Sequence, residues 1–252
     1  MLVKQAANVI ELIEFFARHQ RPATMAEISD MLNWPRSSTF NLVGTLVEKG
    51  YLYEPRGRGG YYPSPRWMST IHIIAEADPL PPQLMEASAS IRDRTGETTA
   101  IGHAIGTDVI FLHVCESDQP IRYFAQIGTR VPVHASSAGR AILSHFSRQE
   151  RNAIYRRIVF THYSQTTPMN IDAVEAELEE ARIRGFHQSN SEFIADLAGV
   201  AIPLLIDHRR LSLVVAGPTS RCLARRAEIA SIMLDEIRQR GLGANPARGL
   251  PP

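Results

Sequence analysis

Along residues Val3–Arg18, apolar side chains fall at Val9, Ile10, Leu12, Ile13, Phe15 and Phe16, a wide stripe at helical spacing. Thr24 stands three residues before Glu27, the capping-box signature of a helix start, and this second helix runs to Leu32. Asn33 and Trp34 make a short turn. Pro35 suits the first position of a third helix reaching Lys49, with Phe40, Leu42, Val43, Leu46 and Val47 on its buried side and Gly50 as its stop. Tyr51–Tyr53 and Gly60–Tyr62 then read as short strands around Arg56-Gly57-Arg58-Gly59, a hairpin with a glycine-rich tip. Ser64–Ala77 predicts a helical linker, and Pro79, Pro81 and Pro82 bias the chain away from helix, which marks a boundary.

Beyond that boundary the pattern changes. Leu84–Thr95 reads as a helix, followed by β-rich runs at Thr98–Ile105, Val109–Glu116 and Ile121–Ile127. Helical patterns cover Ala138–Phe146, Arg148–Arg157 and Ile171–Arg184; strands follow at Val200–Ile206 and Leu211–Ala216, then a helix at Leu223–Arg240. Strands in series with grouped helices predict an α+β fold with an antiparallel sheet. The expected organisation is a first domain over 1–65, a linker helix over 66–78, a second domain over 79–241 and a disordered tail over 242–252, where Gly and Pro crowd.

Composition narrows the class. With 252 residues, 44% of them apolar and 21% charged, the chain has material for a packed core and is not of the disordered type. The longest apolar runs, Val200–Ile206 and Leu211–Gly217, are of strand length, well short of the roughly 18 apolar residues a membrane helix needs. No charged stub precedes an apolar run near Met1, and Cys115 and Cys222 match no zinc or redox spacing, so a cytoplasmic protein with two free thiols is expected. The net charge of +1 informs only when divided. Residues 1–66 hold eight Lys and Arg against six Asp and Glu; the rest hold 19 against 20.

Three helices and a hairpin, with a short turn between the second and third helix, make a winged helix-turn-helix. The third helix opens with Arg36, Ser37, Ser38, Thr39 and Asn41, side chains able to bond phosphates or base edges from the major groove. Lys49 and the wing residues Arg56 and Arg58 add charge where the phosphate backbone would pass. Such units also serve as protein-docking modules, and a Ser-rich helix start is often a cap. Cap, turn, recognition helix and basic wing all agree, and this favours double-stranded DNA as the partner. The weak positive excess implies that binding depends on a dimer or higher assembly. No GxSxG, HExxH, Walker or strand-following GxGxxG motif is present, so no enzyme and no cofactor is expected, and the nine histidines show no metal-ligand spacing.

In the second domain, Val131–Val133 delivers a strand into His134-Ala135-Ser136-Ser137-Ala138-Gly139, and a helix follows. Free amides at that helix start with two hydroxyls beside them could hold a carboxylate. Ser136 or Ser137 could equally be a simple cap. His134 and His103 read as structural or ligand-binding, and Phe111, Tyr123 and Phe124 as pocket lining or core. Arg130 and Arg140 read as solvated or salt-bridged.

The run Leu32–Gly50 (LNWPRSSTFNLVGTLVEKG) resembles the helix-turn-helix of the IclR (isocitrate lyase regulator) family of bacterial transcription factors. Gly128–Leu143 (GTRVPVHASSAGRAIL) resembles that family's effector-domain motif, and Arg184-Gly185-Phe186, Glu192, Gly199–Pro203 and Ala216-Gly217-Pro218 match later motifs in order. The resemblance spans nearly the whole chain. It implies a GAF-like, profilin-like effector domain, homodimers joined through the DNA-binding domains, tetramers in many members, and a pseudo-palindromic operator. It also implies a small-molecule effector beside His134, Ser136, Ser137 and Ala138, with Ser189, Gly199, Val214 and Ala216 completing the pocket. Related pockets for small keto-acids present Asp, Cys and Ser at the last four positions. The replacement here points to a larger, more apolar effector such as an aromatic carboxylate.

Overall fold

The structure, a computed structural model, describes residues 3–55 and 60–242. Its chain divides into two units, Met1–Pro79 and Leu80–Pro252. The expected wing-tip residues 56–59 and, of the expected tail 242–252, residues 243–252 lie outside the described residues; Leu242 is described and is buried in the core of the second unit, not part of a disordered tail.

The first unit carries α1 (Lys4–His19), α2 (Met25–Met31) and α3 (Arg36–Glu48). Leu12, Phe15 and Phe16 of α1 meet Ile28 of α2 and Val43 and Leu46 of α3 in one core. Thr24 and Glu27 form the capping box: Glu27 N–H donates to Thr24 Oγ1 at 3.2 Å and Thr24 N–H to Glu27 Oε2 at 2.8 Å. Two bonds fix the α2–α3 turn: Trp34 N–H donates to the Ser29 carbonyl at 2.9 Å, and Ser29 Oγ to the Trp34 carbonyl at 2.8 Å. Pro35 is the residue before α3 rather than its first member. The wing strands β1 (Leu52–Tyr53) and β2 (Tyr62–Pro63) pair antiparallel, and Tyr61 bridges to Ala23. Gly60 permits that bridge: its φ is +90°, and a Cβ there would lie 2.6 Å from the Ala23 carbonyl oxygen.

Two positions expected in this core are outside it. Phe40 is 65% exposed and Val47 38% exposed. α3 buries the stripe Thr39, Val43 and Leu46, and Phe40 and Val47 each lie one residue, about 100° around the helix, from that stripe. After the wing, α4 (Arg66–Ala77) has no buried residue. Trp67 ties its start to the wing by donating from Nε1 to the Tyr51 carbonyl at 2.9 Å.

The second unit holds α5 (Pro82–Thr95), β3 (Thr98–Ile105), β4 (Asp108–Cys115), β5 (Arg130–Pro132), α6 (Ser137–Leu143), α7 (Arg148–Tyr155), α8 (Ile171–Arg184), β6 (His187–Asn190), β7 (Leu197–Ile206), β8 (Arg209–Pro218), α9 (Thr219–Cys222) and α10 (Arg226–Gln239). The sheet order is β5-β4-β3-β8-β7-β6, antiparallel at every pairing, so the α+β expectation holds. α5 and α10 cover one face through Leu84, Ile91, Ile229 and Met233, packed on Ile101, Val200, Ile202, Leu213 and Val215. α6 and α8 cover the other through Ala138, Ile142, Val174 and Leu178, packed on Ala100, Val109, Phe111, Ala201 and Val214. Burial on both faces explains why β7 and β8 read as continuous apolar runs rather than alternating ones.

The sequence expectations differ from the structure in three places. Ile121–Ile127 is not a strand: Ile121, Phe124 and Ile127 are exposed, and side chains take its carbonyls, with Thr98 Oγ1 donating to Tyr123 O at 2.7 Å and Arg221 Nη2 to Ile121 O at 2.8 Å. β6 has no apolar signature in the sequence, because its His187-Gln188-Ser189-Asn190 run is polar throughout and lies at the sheet edge. The expected helix from Leu223 begins only at Arg226, as α10, and the short α9 precedes it at Thr219–Cys222.

Candidate functional site

In the first unit, Arg36, Ser37, Ser38 and Asn41 lie exposed on the N-terminal half of α3, with Gly44 and Thr45 continuing that surface and Lys49 exposed at its end. Among the described residues no side chain caps the start of α3, which leaves its first N–H groups without a capping bond, an arrangement suited to phosphate. Thr39 is a correction. Its side chain is fully buried and its hydroxyl donates to the Pro35 carbonyl at 3.2 Å, so it packs the helix onto the domain and presents nothing to a partner. Arg56 and Arg58 lie outside the described residues.

In the second unit, a cavity of about 400 Å³, counted with its open mouth, lies among α6, β4, β6, β7 and β8. Val131, Ala135, Ser136, Ser137 and Ala138 form one wall, where β5 runs into α6. Ser189, Gly199, Val214 and Ala216 come from the three adjacent strands, so seven of the eight positions carried over by resemblance share one cavity. His134 is the exception. It is buried behind that wall, its ring 5.2 Å from Phe160 and 6.0 Å from Tyr163, and its Nε2 has no hydrogen-bond partner among the described residues. Burial holds its imidazole below the ordinary pKa, and the nearby Arg140 charge pushes the same way.

Ser136 caps α6: its hydroxyl accepts from Gly139 N–H at 3.0 Å and donates to the Pro132 carbonyl at 2.7 Å. The hydroxyls of Ser137 and Ser189 converge at Gly199, where a Cβ would lie 2.4 Å from the first and 2.8 Å from the second. Glycine at this point therefore keeps open the space between two hydroxyls. Phe111, Tyr123, Phe193, Ile194 and Leu197 supply apolar walls. Burial raises the Tyr123 phenol to about 12, so it stays protonated, while Phe124 is exposed on the other side of the chain.

The sequence reading missed how Glu192 is held. Arg140, fully buried, grips its carboxylate with both guanidinium nitrogens (2.6 and 3.0 Å) and also donates to the carbonyls of His134 (3.1 Å) and Gln188. Arg140 is thus salt-bridged, whereas Arg130 is exposed and His103 bonds the Ala104 carbonyl through Nδ1 at 2.9 Å. The signal for Glu192 was its place within the motif that follows Phe186; the pairing across 52 positions has no local signature. Among the described residues, no three His, Cys, Asp or Glu side chains gather as a metal ion would require. No helix among them is long and apolar enough to cross a membrane.

A winged helix-turn-helix joined in one chain to a cavity-bearing sheet domain defines a ligand-sensing regulator of transcription. Residues 5–56 match the IclR helix-turn-helix domain, and residues 66–242 match the bacterial transcriptional regulator IclR C-terminal domain. The chain belongs to the IclR family of bacterial transcriptional regulators, a family of DNA-binding proteins rather than enzymes. It is 21% identical over 250 residues to the HTH-type transcriptional regulator XynR of Escherichia coli K12, covering 99% of both chains. It is 24% identical over 221 residues to the HTH-type transcriptional repressor AllR of the same strain, covering 84% of this chain and 79% of the other. Its fold matches the IclR of Thermotoga maritima with a TM-score of 0.78 at 18% identity, over 94% of this chain and 97% of that one. An IclR homologue of Microbacterium hydrocarbonoxydans complexed with 4-hydroxybenzoate matches with a TM-score of 0.69 at 19% identity, over 93% and 99%.

Proposed function

We propose that this regulator acts in the cytoplasm as an operator-binding homodimer or tetramer whose DNA affinity is set by a small aromatic carboxylate in the effector domain. Arg36, Ser37, Ser38 and Asn41 read base edges and phosphates in the major groove of a pseudo-palindromic site, and Lys49 contacts the backbone. Met68, Ile71 and Ile74 recur on α4 with no buried contact, and Ile10 is uncovered on α1; these apolar side chains support pairing of two copies through the DNA-binding units. The effector biases α4 between arrangements that favour and disfavour operator binding.

One observation carries the effector reading: the cavity combines aromatic and aliphatic walls with the hydroxyls of Ser137 and Ser189 at a glycine. A benzoate ring suits those walls, and the carboxylate would be met by the two hydroxyls and the amides that open α6. The relative complexed with 4-hydroxybenzoate supports the same ligand class. Calorimetry with benzoates, glyoxylate and pyruvate tests the reading. Saturable binding of a benzoate is expected, and tight binding of glyoxylate or pyruvate with every benzoate inert would overturn it.

A further inference from the structure

We propose that Glu192 determines effector specificity: it is a fixed hydrogen-bond acceptor that favours an effector with a hydroxyl or amino donor besides its carboxylate, and it excludes dicarboxylates. The inference rests on the reading of the cavity as the effector site. Among the residues lining the cavity Glu192 is the one that carries a charge. Its side chain is 10% exposed and that of Arg140 1% exposed, so the pair is almost wholly desolvated.

A carboxylate has about four lone-pair positions. Arg140 Nη1 donates to Oε2 at 2.6 Å, Arg140 Nη2 to Oε1 at 3.0 Å, and the Asn190 amide to Oε1 at 3.3 Å. These donors occupy Oε1 fully and Oε2 once, so Oε2 retains one acceptor position. The backbone is pinned as well, because the Glu192 carbonyl accepts from Thr167 Oγ1 at 2.6 Å. The acceptor therefore cannot swing away when a ligand enters. An apolar ligand that expels water from Oε2 leaves a charged oxygen under-satisfied, which is costly; a ligand that brings a donor removes that cost. Arg140 compensates one negative charge and is buried behind Glu192, so a second carboxylate on the ligand would face Glu192 without a counter-charge in reach.

A purely structural role, tying α6 to the β6–β7 segment, would lower stability on mutation and leave the ranking of ligands unchanged. The ranking is therefore the readout. Calorimetry on the full chain would use benzoate, the three hydroxybenzoate isomers and terephthalate, with wild type and Glu192→Gln. In wild type the tightest hydroxybenzoate is expected to bind about tenfold or more tighter than benzoate, the effect of one hydrogen bond to a charged group, and terephthalate not to bind. Glu192→Gln is expected to shrink that ratio and to admit terephthalate. Equal ratios in the two proteins would overturn the inference and leave the effector reading standing. If the variant does not fold, wild type alone decides: benzoate binding as tightly as every hydroxybenzoate, or terephthalate binding as tightly as benzoate, overturns the inference. A wild type that binds none of these ligands overturns the effector reading and this inference together.

Discussion

Replacing Gly199 with alanine separates the effector cavity from the fold. Gly199 sits within β7, paired with Ser189 on one side and Ala216 on the other. A Cβ there would lie 2.4 Å from Ser137 Oγ and 2.8 Å from Ser189 Oγ, inside van der Waals contact for both. Serine hydroxyls are the free ends of short side chains, so they yield by rotating rather than by moving backbone. Alanine also reduces the entropy of the unfolded chain, a gain of about 0.4–1 kcal/mol that offsets part of the crowding. The melting temperature should therefore change little. Effector binding should not survive intact: the displaced hydroxyls forfeit one or two hydrogen bonds at about 0.5–1.5 kcal/mol each, and the methyl fills the space between them. The expected loss is roughly 2- to 150-fold in Kd by calorimetry, at about 1.4 kcal/mol per tenfold. Operator affinity without effector should be unchanged in a gel-retardation titration. Wild-type effector affinity in the variant would refute the assignment of Ser137, Ser189 and Gly199 to the site.

Thr39→Val should leave operator affinity intact and change stability by about 1 kcal/mol, since it removes only the hydroxyl's bond to Pro35, whereas Arg36→Ala should weaken specific DNA binding by about 1–3 kcal/mol without altering effector affinity; retardation assays on both variants check the pair. Arg140→Ala leaves Glu192 buried without its counter-charge and should cost about 3–5 kcal/mol in urea unfolding. Stability of the effector domain should also depend on pH. Burial and the neighbouring Arg140 and Arg184 hold His187 at about 3 against an ordinary 6.5, so the unfolded chain binds the extra proton first and stability falls as pH drops from 6.5 toward 3. His134 and His145, lowered by burial too, add to the same slope, and His187→Leu should flatten it in part, as measured by unfolding at pH 7 and pH 5.

The local rules made the first unit legible in detail. Thr24 and Glu27 announced α2, Pro35 and Gly50 bracketed α3, and Gly60 marked the wing. The stripe on α3 was misjudged by one residue, because a helix with apolar side chains at 40, 42, 43, 46 and 47 has two candidate faces and only packing against Leu12 and Ile28 selects one. The same ambiguity puts Thr39 among the expected DNA contacts, although it lies on the buried stripe. Cavity positions on β6, β7 and β8 were reachable through the family motifs, which carry spatial information that spacing alone lacks. Glu192 was not assigned a role, since its partner Arg140 lies on another element far back in the sequence. The strand expected at Ile121–Ile127 failed because alternating apolar residues also suit a segment that sends Tyr123 inward and leaves Phe124 outside.

The central claim is that one ligand in the effector cavity changes the affinity of the DNA-binding unit for its operator. Titrating a labelled operator fragment with the full chain, with and without a saturating benzoate effector, measures that coupling directly. The account predicts a shift of about 5- to 150-fold in operator Kd, equivalent to about 1–3 kcal/mol, which disappears in Gly199→Ala at the same effector concentration. An operator Kd that stays the same while calorimetry shows the effector bound would contradict it.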